Sequence, residues 1–310
     1  MVTTLNLINC SADIHRGIAM GAIIQLDNLQ RQFGSNRILK GLSVSVEPGQ
    51  VIALLGKNGA GKTTLLETLL GFGLPSDGQA TLWGDAAAQL SAANKQRVGF
   101  VPQQDELLPS LTGTEHLKLF RAFRSQWNQS LVERLVTEWE IPLTQTLARM
   151  SVGQRQKLSI LLAIAHEPEL LVLDEPVASL DPIARRQFLQ QLVELAADEQ
   201  RSIIFSTHIV NDVERVANRV WMLRQGELVY QGDLDSLKES IARVNLRSEQ
   251  VFDQVIEYPH LLQQQRQGRT ARLTFSQWQP EWAVDLARRF HAQVEVEHLS
   301  LEDIFLELNS

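Results

Sequence analysis

The sequence contains a single cysteine, and this scarcity excludes two kinds of stabilising site. Cys10 cannot form a disulfide bond within the chain, and the cysteine and the seven histidines are not clustered at the spacing of metal ligands. Small proteins that depend on disulfide bonds or zinc contain several cysteines, or clusters of cysteine and histidine. We therefore expect a protein of a reducing compartment such as the cytosol.

Positive charge is also scarce. The chain has 29 Lys and Arg against 36 Asp and Glu, which gives a net charge of -7 at pH 7. The charges are interspersed, and no basic stripe is present of the kind that follows nucleic acid phosphates. We therefore expect no direct binding of DNA or RNA.

Long apolar runs are missing as well. The longest uninterrupted run, at residues 160–165, is far shorter than the roughly 20 residues that a membrane-spanning helix needs. Residues 1–20 lack the basic start and the continuous apolar stretch of a secretory signal, and we expect them to form a loose extension. Any role at a membrane must then come through a partner.

What remains is a pattern of buried strands separated by helices. Residues 51–55, 170–174 and 202–207 are short and apolar like buried strands, and helical segments such as 182–197 lie between them. Such alternation is typical of an α/β fold with a mostly parallel sheet and helices on both faces. At 310 residues the chain is near the length at which one core splits into two, so we expect one large and one small domain.

Three further regions complete the predicted organisation. Residues 22–32 and 41–47 alternate between apolar and polar side chains, which predicts a half-exposed antiparallel β subdomain. Residues from about 105 to 165 read as a largely helical insertion. After about residue 240 a strand, helix and strand pattern predicts a small α+β domain at 240–310, so the large domain spans about 21–235.

A phosphate-binding loop follows the first buried strand. The sequence GKNGAGKTT at 56–64 has the pattern G-x-x-x-x-G-K-T between a strand and a helix, and this context disfavours a chance glycine-rich turn. The glycines let backbone N–H groups surround phosphates, Lys62 would reach the β- and γ-phosphates, and the Thr63 hydroxyl would bind Mg²⁺. The candidate binding residues are Gly56, Asn58, Gly59, Ala60, Gly61, Lys62, Thr63 and Thr64.

Acidic and imidazole side chains follow the other two buried strands. Asp174 and Glu175 follow the four apolar residues of LLVLDEP, at the sheet edge where ligands of α/β folds bind. Asp174 therefore fits a Mg²⁺ ligand and Glu175 a base for an attacking water. Alternatively, the strand simply ends in solvated acids. His208 ends the next strand and either makes a structural hydrogen bond or senses a γ-phosphate.

The stretch SVGQ at 151–154 starts another helix. Ser151 and Gln154 have the spacing of a capping box, and an apolar stripe of Leu158, Leu161, Leu162 and Ala165 follows. SVGQ therefore either only starts the helix or also presents N–H groups to an anion.

The order of these motifs resembles the nucleotide-binding subunits of ABC (ATP-binding cassette) transporters, over about residues 22–235. The matching elements are the P-loop at 56–64, VPQ at 101–103, SVGQ at 151–154, LLVLDEP at 170–176, SLDP at 179–182 and STH at 206–208. The resemblance implies that Gln103 contacts Mg²⁺ or the attacking water, and that Asp181 lies at a dimer interface. It also implies that Phe33 stacks on adenine, although a phenylalanine of the core is the alternative.

The resemblance further implies that two identical or similar cassettes pack head to tail. Each ATP and Mg²⁺ would then lie between one P-loop and Ser151, Gly153 and Gln154 of the opposite subunit. The sequence departs from the family's common LSGGQ signature at Met150 and Val152, and it has Lys57 where proline is frequent. We expect the signature to work because its serine, second glycine and glutamine remain.

The tail HLSLEDIFLEL is most similar to the ATPase subunits of ABC-2-type exporters. This implies an ATP-hydrolysing motor for a separately encoded integral membrane permease, at the cytoplasmic face of the membrane. One alternative is a soluble ABC-type ATPase that acts on DNA or ribosomes. A P-loop kinase is a third possibility, but it leaves SVGQ and SLDP unexplained.

Overall fold

The structure is a computed structural model, and it describes residues 21–104 and 106–308. Its strands are β1 (Ile24–Phe33), β2 (Asn36–Val46), β3 (Val51–Leu55), β4 (Asp77–Leu82), β5 (Asp85–Ala86), β6 (Val98–Val101), β7 (Leu170–Leu173), β8 (Ser202–Thr207), β9 (Arg219–Arg224), β10 (Glu227–Asp233), β11 (Ala242–Ser248), β12 (Leu261–Gln267), β13 (Thr270–Phe275) and β14 (Ala292–His298). Its α-helices are α1 (Lys62–Leu69), α2 (Ala92–Gln96), α3 (Gly113–Ala122), α4 (Gln129–Glu138), α5 (Val152–Ile164), α6 (Pro182–Ala196), α7 (Val210–Val216), α8 (Leu234–Ser240), α9 (Glu281–Phe290) and α10 (Leu301–Leu308). Cys10 and the predicted extension at residues 1–20 lie outside the described residues.

The central sheet has the strand order β10-β9-β3-β8-β7-β6. The pairs β3–β8, β8–β7 and β7–β6 are parallel, which confirms the predicted parallel core. Every residue of β3, β7 and β8 is buried, because both faces of a parallel sheet are covered. The carboxyl ends of these three strands meet at one edge, where the phosphate-loop lysine and the predicted acids are found.

A second sheet is antiparallel and has the order β2-β1-β4-β5. It confirms the predicted half-exposed β subdomain, and buried and exposed side chains alternate only in part along β1. Strands β4 and β5 were not predicted, since their residues, DGQATL and DA, are mostly small or polar.

The described part of the segment between β6 and β7 is largely helical. It contains α3, α4 and α5, and the one β-contact outside named strands is an isolated bridge between Thr112 and Thr146. At the start of α5 the predicted capping box is confirmed: the Gln154 N–H donates to Ser151 Oγ (3.2 Å), and the Ser151 N–H donates to Gln154 Oε1 (2.9 Å). The apolar stripe of the helix is almost completely buried.

Contacts divide the described chain into two compact units, residues 21–217 with 223–228, and residues 218–222 with 229–308. The second unit contains an antiparallel sheet of order β12-β13-β11-β14, and its core includes Leu273, Phe275 and Leu286 of β13 and α9. The domain boundaries from the sequence stay predictions. Within the described ranges, the helices are all too short or too polar to cross a bilayer.

A buried histidine gives the fold a pH dependence. His166 follows α5, is 2% exposed and shares a hydrogen bond of 3.0 Å between Nε2 and the carbonyl oxygen of Val98. Burial, and then the positive charge of Arg124, lower the pKa of His166 from 6.5 to about 4. Between about pH 6.5 and pH 4, His166 is therefore protonated in the unfolded chain but stays neutral in the folded chain.

We expect this histidine to reduce the free energy of unfolding as the pH falls from 6.5 to 4, by up to about 3 kcal/mol. Urea unfolding of the wild type and of His166→Gln over this pH range measures the effect. Glutamine keeps an N–H donor and does not titrate. The free energy of unfolding of the wild type relative to that of His166→Gln should fall as the pH falls from 6.5 to 4. A difference that does not change with pH would contradict the assignment.

Candidate nucleotide site

The loop between β3 and α1 needs glycine at two positions for different reasons. Gly61 is the N-cap of α1 and has a φ of 106°, a left-handed conformation that side chains disfavour. A Cβ on Gly56 would lie 2.6 Å from the carbonyl oxygen of Leu223, so only glycine fits there. The loop therefore approaches its neighbours closely and ends at a helix N-terminus, where backbone N–H groups and the helix dipole favour an anion.

Lys62, the first residue of α1, is buried beneath this loop. Its side chain is 6% exposed, and Nζ donates to the Gly56 carbonyl oxygen at 2.8 Å. The same Nζ lies 3.2 Å from Oε1 of Glu175. A buried ammonium group needs partners of this kind, because an unpaired buried charge is strongly unfavourable.

Glu175 connects the lysine to the histidine. It follows β7, is 6% exposed and has a φ of 49°, which is strained for a side chain with a Cβ. Its Oε2 lies 2.8 Å from Nδ1 of His208, which stands after β8 and whose side chain is 52% exposed. The ends of three strands thus bring Lys62, Glu175 and His208 into one chain of contacts that leads from the interior to solvent.

Asp174 joins the same network through a serine. Its side chain, 1% exposed, accepts a hydrogen bond from the Ser206 hydroxyl, and this hydroxyl accepts one from the Glu175 N–H at 2.8 Å. Sequence reasoning missed Ser206, although it is part of the STH motif. The available signal was a polar serine near the end of an otherwise apolar buried strand.

The residues present fit a nucleotide with Mg²⁺. The site combines a helix N-terminus, a buried cation and two carboxylates, and Thr63 is half-buried in the first turn of α1. In the part of the chain that the structure describes, His, Cys, Asp and Glu form no group of three that could hold a metal. Mg²⁺ needs no such group, because it is held by one or two carboxylates together with phosphate oxygens and water.

A second group of predicted residues lines a groove of about 450 Å³. The motifs VPQ, SVGQ and SLDP meet at this groove, which is lined by Gln103, Val152 and Ser179. The backbones of SVGQ and SLDP also approach closely, because a Cβ on Gly153 would lie 3.4 Å from the Ser179 carbonyl oxygen. Val152 is 52% exposed. The start of α5 therefore faces solvent, although the helix is buried from Leu158 onward.

Two predicted residues have local contacts that the sequence did not reveal. Asp181 is the N-cap of α6 and accepts hydrogen bonds from the N–H groups of Ile183 and Ala184. These hydrogen bonds, chiefly the one from Ala184, lower the pKa of Asp181. Phe33 is 55% exposed, so it is not a core residue, and the Arg31 guanidinium lies 4.6 Å from its ring centroid. Their predicted roles at the dimer interface and against adenine stay predictions.

Comparison with known proteins decides the family. A family model described as ABC transporter matches residues 39–178. Nod factor export ATP-binding protein I of Cupriavidus metallidurans is 33% identical over 226 residues, which cover 71% of this chain and 74% of that protein. The chain belongs to the ABC transporter family. It is one of the ATP-binding proteins of that family, an ABC-type ATPase, and the resemblance seen in the sequence is confirmed.

Solved structures agree with the ABC fold. An ATP-binding subunit of an ABC transporter superposes with a TM-score of 0.64 at 28% identity, covering 70% of this chain and 92% of that one. A dimeric ABC cassette, MJ0796, described as a post-hydrolysis state bound to ADP and Pi, gives a TM-score of 0.60 at 23% identity. It covers 68% of this chain and 98% of that one, and shows the shared fold.

This ABC ATPase also has an apolar groove beside the glutamine of VPQ. The groove measures about 350 Å³ and is lined by Glu67, Phe72, Phe100, Pro102, Glu106, Leu107, Phe120, Ser159 and Leu162. Phe72 is 68% exposed, and its ring centroid lies 5.3 Å from that of Phe100. Sequence reasoning did not place this groove, because its aromatic residues come from separate elements.

Proposed function

We propose that this chain is the ATP-hydrolysing motor of an exporter, and that it works in pairs on a separately encoded membrane permease. The observation that carries the proposal is the chain of contacts from Lys62 through Glu175 to His208 at the end of the phosphate loop. A cation for phosphates, a carboxylate base and an imidazole are thereby placed at one sheet edge. This set is suited to moving a phosphoryl group to water.

Nucleotide binding rests on the loop and the first turn of α1. Backbone N–H groups of residues 56–64 and the Lys62 ammonium would hold the phosphates, and Phe33 would stack on the adenine. Thr63, Asp174 and Gln103 would hold Mg²⁺. When bound, Mg²⁺ neutralises phosphate charge and polarises the transferred group.

The buried ion pair has a direct consequence for hydrolysis. Lys62 occupies Oε1 of Glu175 at 3.2 Å, and this ammonium must turn to the phosphates when a nucleotide enters. Glu175 then has a free oxygen that accepts a proton from the attacking water. His208, at 2.8 Å from Oε2, holds the carboxylate in position or contacts the γ-phosphate.

The start of α5 supplies the second half of the site. Ser151 and Val152 are exposed, and the helix N-terminus directs N–H groups and partial positive charge outward. The P-loop already provides a helix terminus for phosphates in the same subunit. We assign Ser151, Gly153 and Gln154 to the γ-phosphate of a partner subunit, with Asp181 between the subunits. The cassette MJ0796, which shares the fold, is described as dimeric, and this supports the pairing of two subunits.

A complementation experiment tests the shared site. Ser151→Arg places a bulky cation at the signature, and Lys62→Ala removes the phosphate ligand, so each variant alone should be inactive. In a mixed dimer, the P-loop of the first variant faces the intact signature of the second, and that one site is whole. Random mixing should therefore restore roughly a quarter of the wild-type sites, measured as tightly bound nucleotide and as ATP turnover.

A failure of the mixed dimers to recover activity would contradict the shared site. If Ser151 served the P-loop of its own subunit, each subunit of the mixed dimer would be defective and mixing would restore nothing. Mixing Ser151→Arg with a Ser151→Arg, Lys62→Ala double variant is the negative control. None of the three kinds of dimer in that mixture has an intact P-loop facing an intact signature.

The apolar groove beside VPQ is the proposed contact with the permease. Phe72 presents an exposed ring, and Glu67 and Glu106 add negative charge to the lining. A short helix with apolar and basic side chains fits this chemistry. The groove lining includes Phe100 of β6 and Pro102, and Pro102 directly precedes Gln103 in sequence. A movement of the permease would therefore reach the nucleotide site through these two residues.

Export is supported by the relative named for Nod factor export. The corresponding location is the cytoplasmic face of the membrane. Fractionation of cells with and without the co-expressed permease distinguishes this from a soluble ATPase of DNA or ribosomes. Membrane association that requires the permease supports the proposal, whereas association with ribosomes or DNA in both cells contradicts it.

A further inference from the structure

We infer that Ser206 is a positioning residue that sets the backbone of Glu175 and the carboxylate of Asp174 at the same time. This inference rests on the proposed function, because it assigns a role toward the base and the Mg²⁺ ligand. Ser206 is the fifth residue of β8 and is fully buried. It touches neither phosphate nor water in the proposed reaction, and therefore acts through its neighbours.

The geometry of one hydroxyl group is the basis of the inference. Ser206 Oγ accepts a hydrogen bond from the backbone N–H of Glu175 at 2.8 Å, and its own proton goes to Asp174 Oδ1. A hydroxyl can donate once and accept as well, so both uses are compatible. Two adjacent residues with different proposed tasks are thus tied to a single atom on the neighbouring strand.

The bond to Glu175 matters because that residue has a strained backbone. Its φ of 49° lies in the left-handed region, which non-glycine residues adopt only when their surroundings impose it. The N–H of Glu175 is held by Ser206, and its side chain is held by Lys62 and His208. Without Ser206, the strained peptide loses the partner of its buried donor, so the carboxylate is less well aimed.

The bond to Asp174 matters for the metal. A carboxylate that binds a cation is oriented by the groups that hydrogen-bond to it, and loss of such a group typically costs 10–100-fold in metal affinity or activity. Asp174 is 1% exposed, so water is poorly placed to replace the lost hydroxyl. Ser206 is therefore expected to influence Mg²⁺ binding as well as turnover.

The same strand provides a matched control. Ser202 is the first residue of β8 and is also 0% exposed. Its Oγ accepts from the Gly49 N–H at 3.0 Å and donates to the Glu47 carbonyl oxygen at 3.4 Å. Ser202→Ala removes the same kind of buried hydroxyl at the opposite end of the strand, and so measures what loss of a structural serine alone does.

The test compares Ser206→Ala with Ser202→Ala in two measurements. The first is the Mg²⁺ concentration at half-maximal binding of a fluorescent ATP analogue, and the second is kcat. We expect Ser206→Ala to raise the first and lower the second by about 10–100-fold each, while Ser202→Ala changes neither. Ser206→Thr keeps a hydroxyl and should restore most of both.

A double variant separates the effect of Ser206 on Glu175 from its effect on Asp174. In a Glu175→Gln background the base is absent, so Ser206→Ala should lower kcat little further, whereas its effect on the Mg²⁺ midpoint should persist through Asp174. If Ser206→Ala does not fold, Ser206→Cys takes its place, since a thiol is a weak donor and acceptor of similar shape. Cysteine should then be impaired and threonine not.

The inference is wrong if Ser206→Ala behaves like Ser202→Ala in both measurements, or if cysteine and threonine behave alike. Such a result leaves the proposed function standing, provided that Glu175→Gln and Lys62→Ala are defective. If those two variants hydrolyse ATP normally, the proposed function itself fails, so the two failures are distinguishable.

Discussion

Glu175→Gln should lower the rate of ATP hydrolysis by about 10²–10⁴-fold, the range for loss of a general base, while ATP binding persists. Glutamine has nearly the same shape and keeps an oxygen for His208, but it cannot accept a proton from water. The ATP-bound dimer should consequently accumulate, because the step that removes the shared γ-phosphate is blocked. Phosphate release and size-exclusion chromatography with ATP and Mg²⁺ measure the two effects.

Glu169→Gln is the matched control for this variant. Glu169 immediately precedes β7, while Glu175 follows the same strand on its other side, and Glu169 pairs with Arg97 on the surface. Its replacement removes one acid from the opposite end of the strand and should leave hydrolysis unchanged. Normal hydrolysis by Glu175→Gln, or a strictly monomeric elution profile with ATP, would contradict the assigned base or the shared site.

Lys62→Ala should abolish productive ATP binding, because it removes the buried cation that the phosphates require. Loss of one partner of a buried, hydrogen-bonded charge pair typically costs about 2–5 kcal/mol in binding, which is tens to thousands of fold in affinity. The variant should also be less stable, since the Glu175 carboxylate is left buried at 6% exposure without its cation. Isothermal titration with ATP and urea unfolding measure the two losses.

A double variant separates the two effects of Lys62. In Lys62→Ala, Glu175→Gln the uncompensated negative charge is gone, so stability should recover toward that of the wild type while ATP binding stays lost. If stability does not recover, the ion pair at 3.2 Å is not the cause of the instability. Near-normal ATP turnover in Lys62→Ala would overturn the role of the loop.

The sequence predicted those parts of the fold that depend on local pattern. Strands β3, β7 and β8 are continuous apolar runs because both of their faces are buried, and such runs are visible without a structure. The capping box at Ser151 and Gln154 was equally visible, since its partners are three residues apart. The ordered motifs then identified the family.

What remained hidden depends on contacts between distant residues. The ion pair of Lys62 and Glu175 joins α1 to the end of β7, and no spacing rule predicts it. Strand β12 was missed because its sequence, LLQQQRQ, is mostly polar and lacks the alternation of a half-buried strand. The hydrogen bonds that make Asp181 a helix cap were missed because its place in SLDP suggested only an interface.

The pairing of Lys62 with Glu175 also makes the carboxylate a tethered competitor of ATP. Because it belongs to the same chain, this internal counter-ion is present at a fixed high local concentration, and only the fraction of molecules with a released lysine is ready for phosphates. The apparent affinity for nucleotide is lowered by that fraction. In the proposed reaction, Glu175 becomes available as a base only in molecules whose lysine has moved to a phosphate. In the empty site, the Lys62 ammonium and the Glu175 carboxylate neutralise each other's charge.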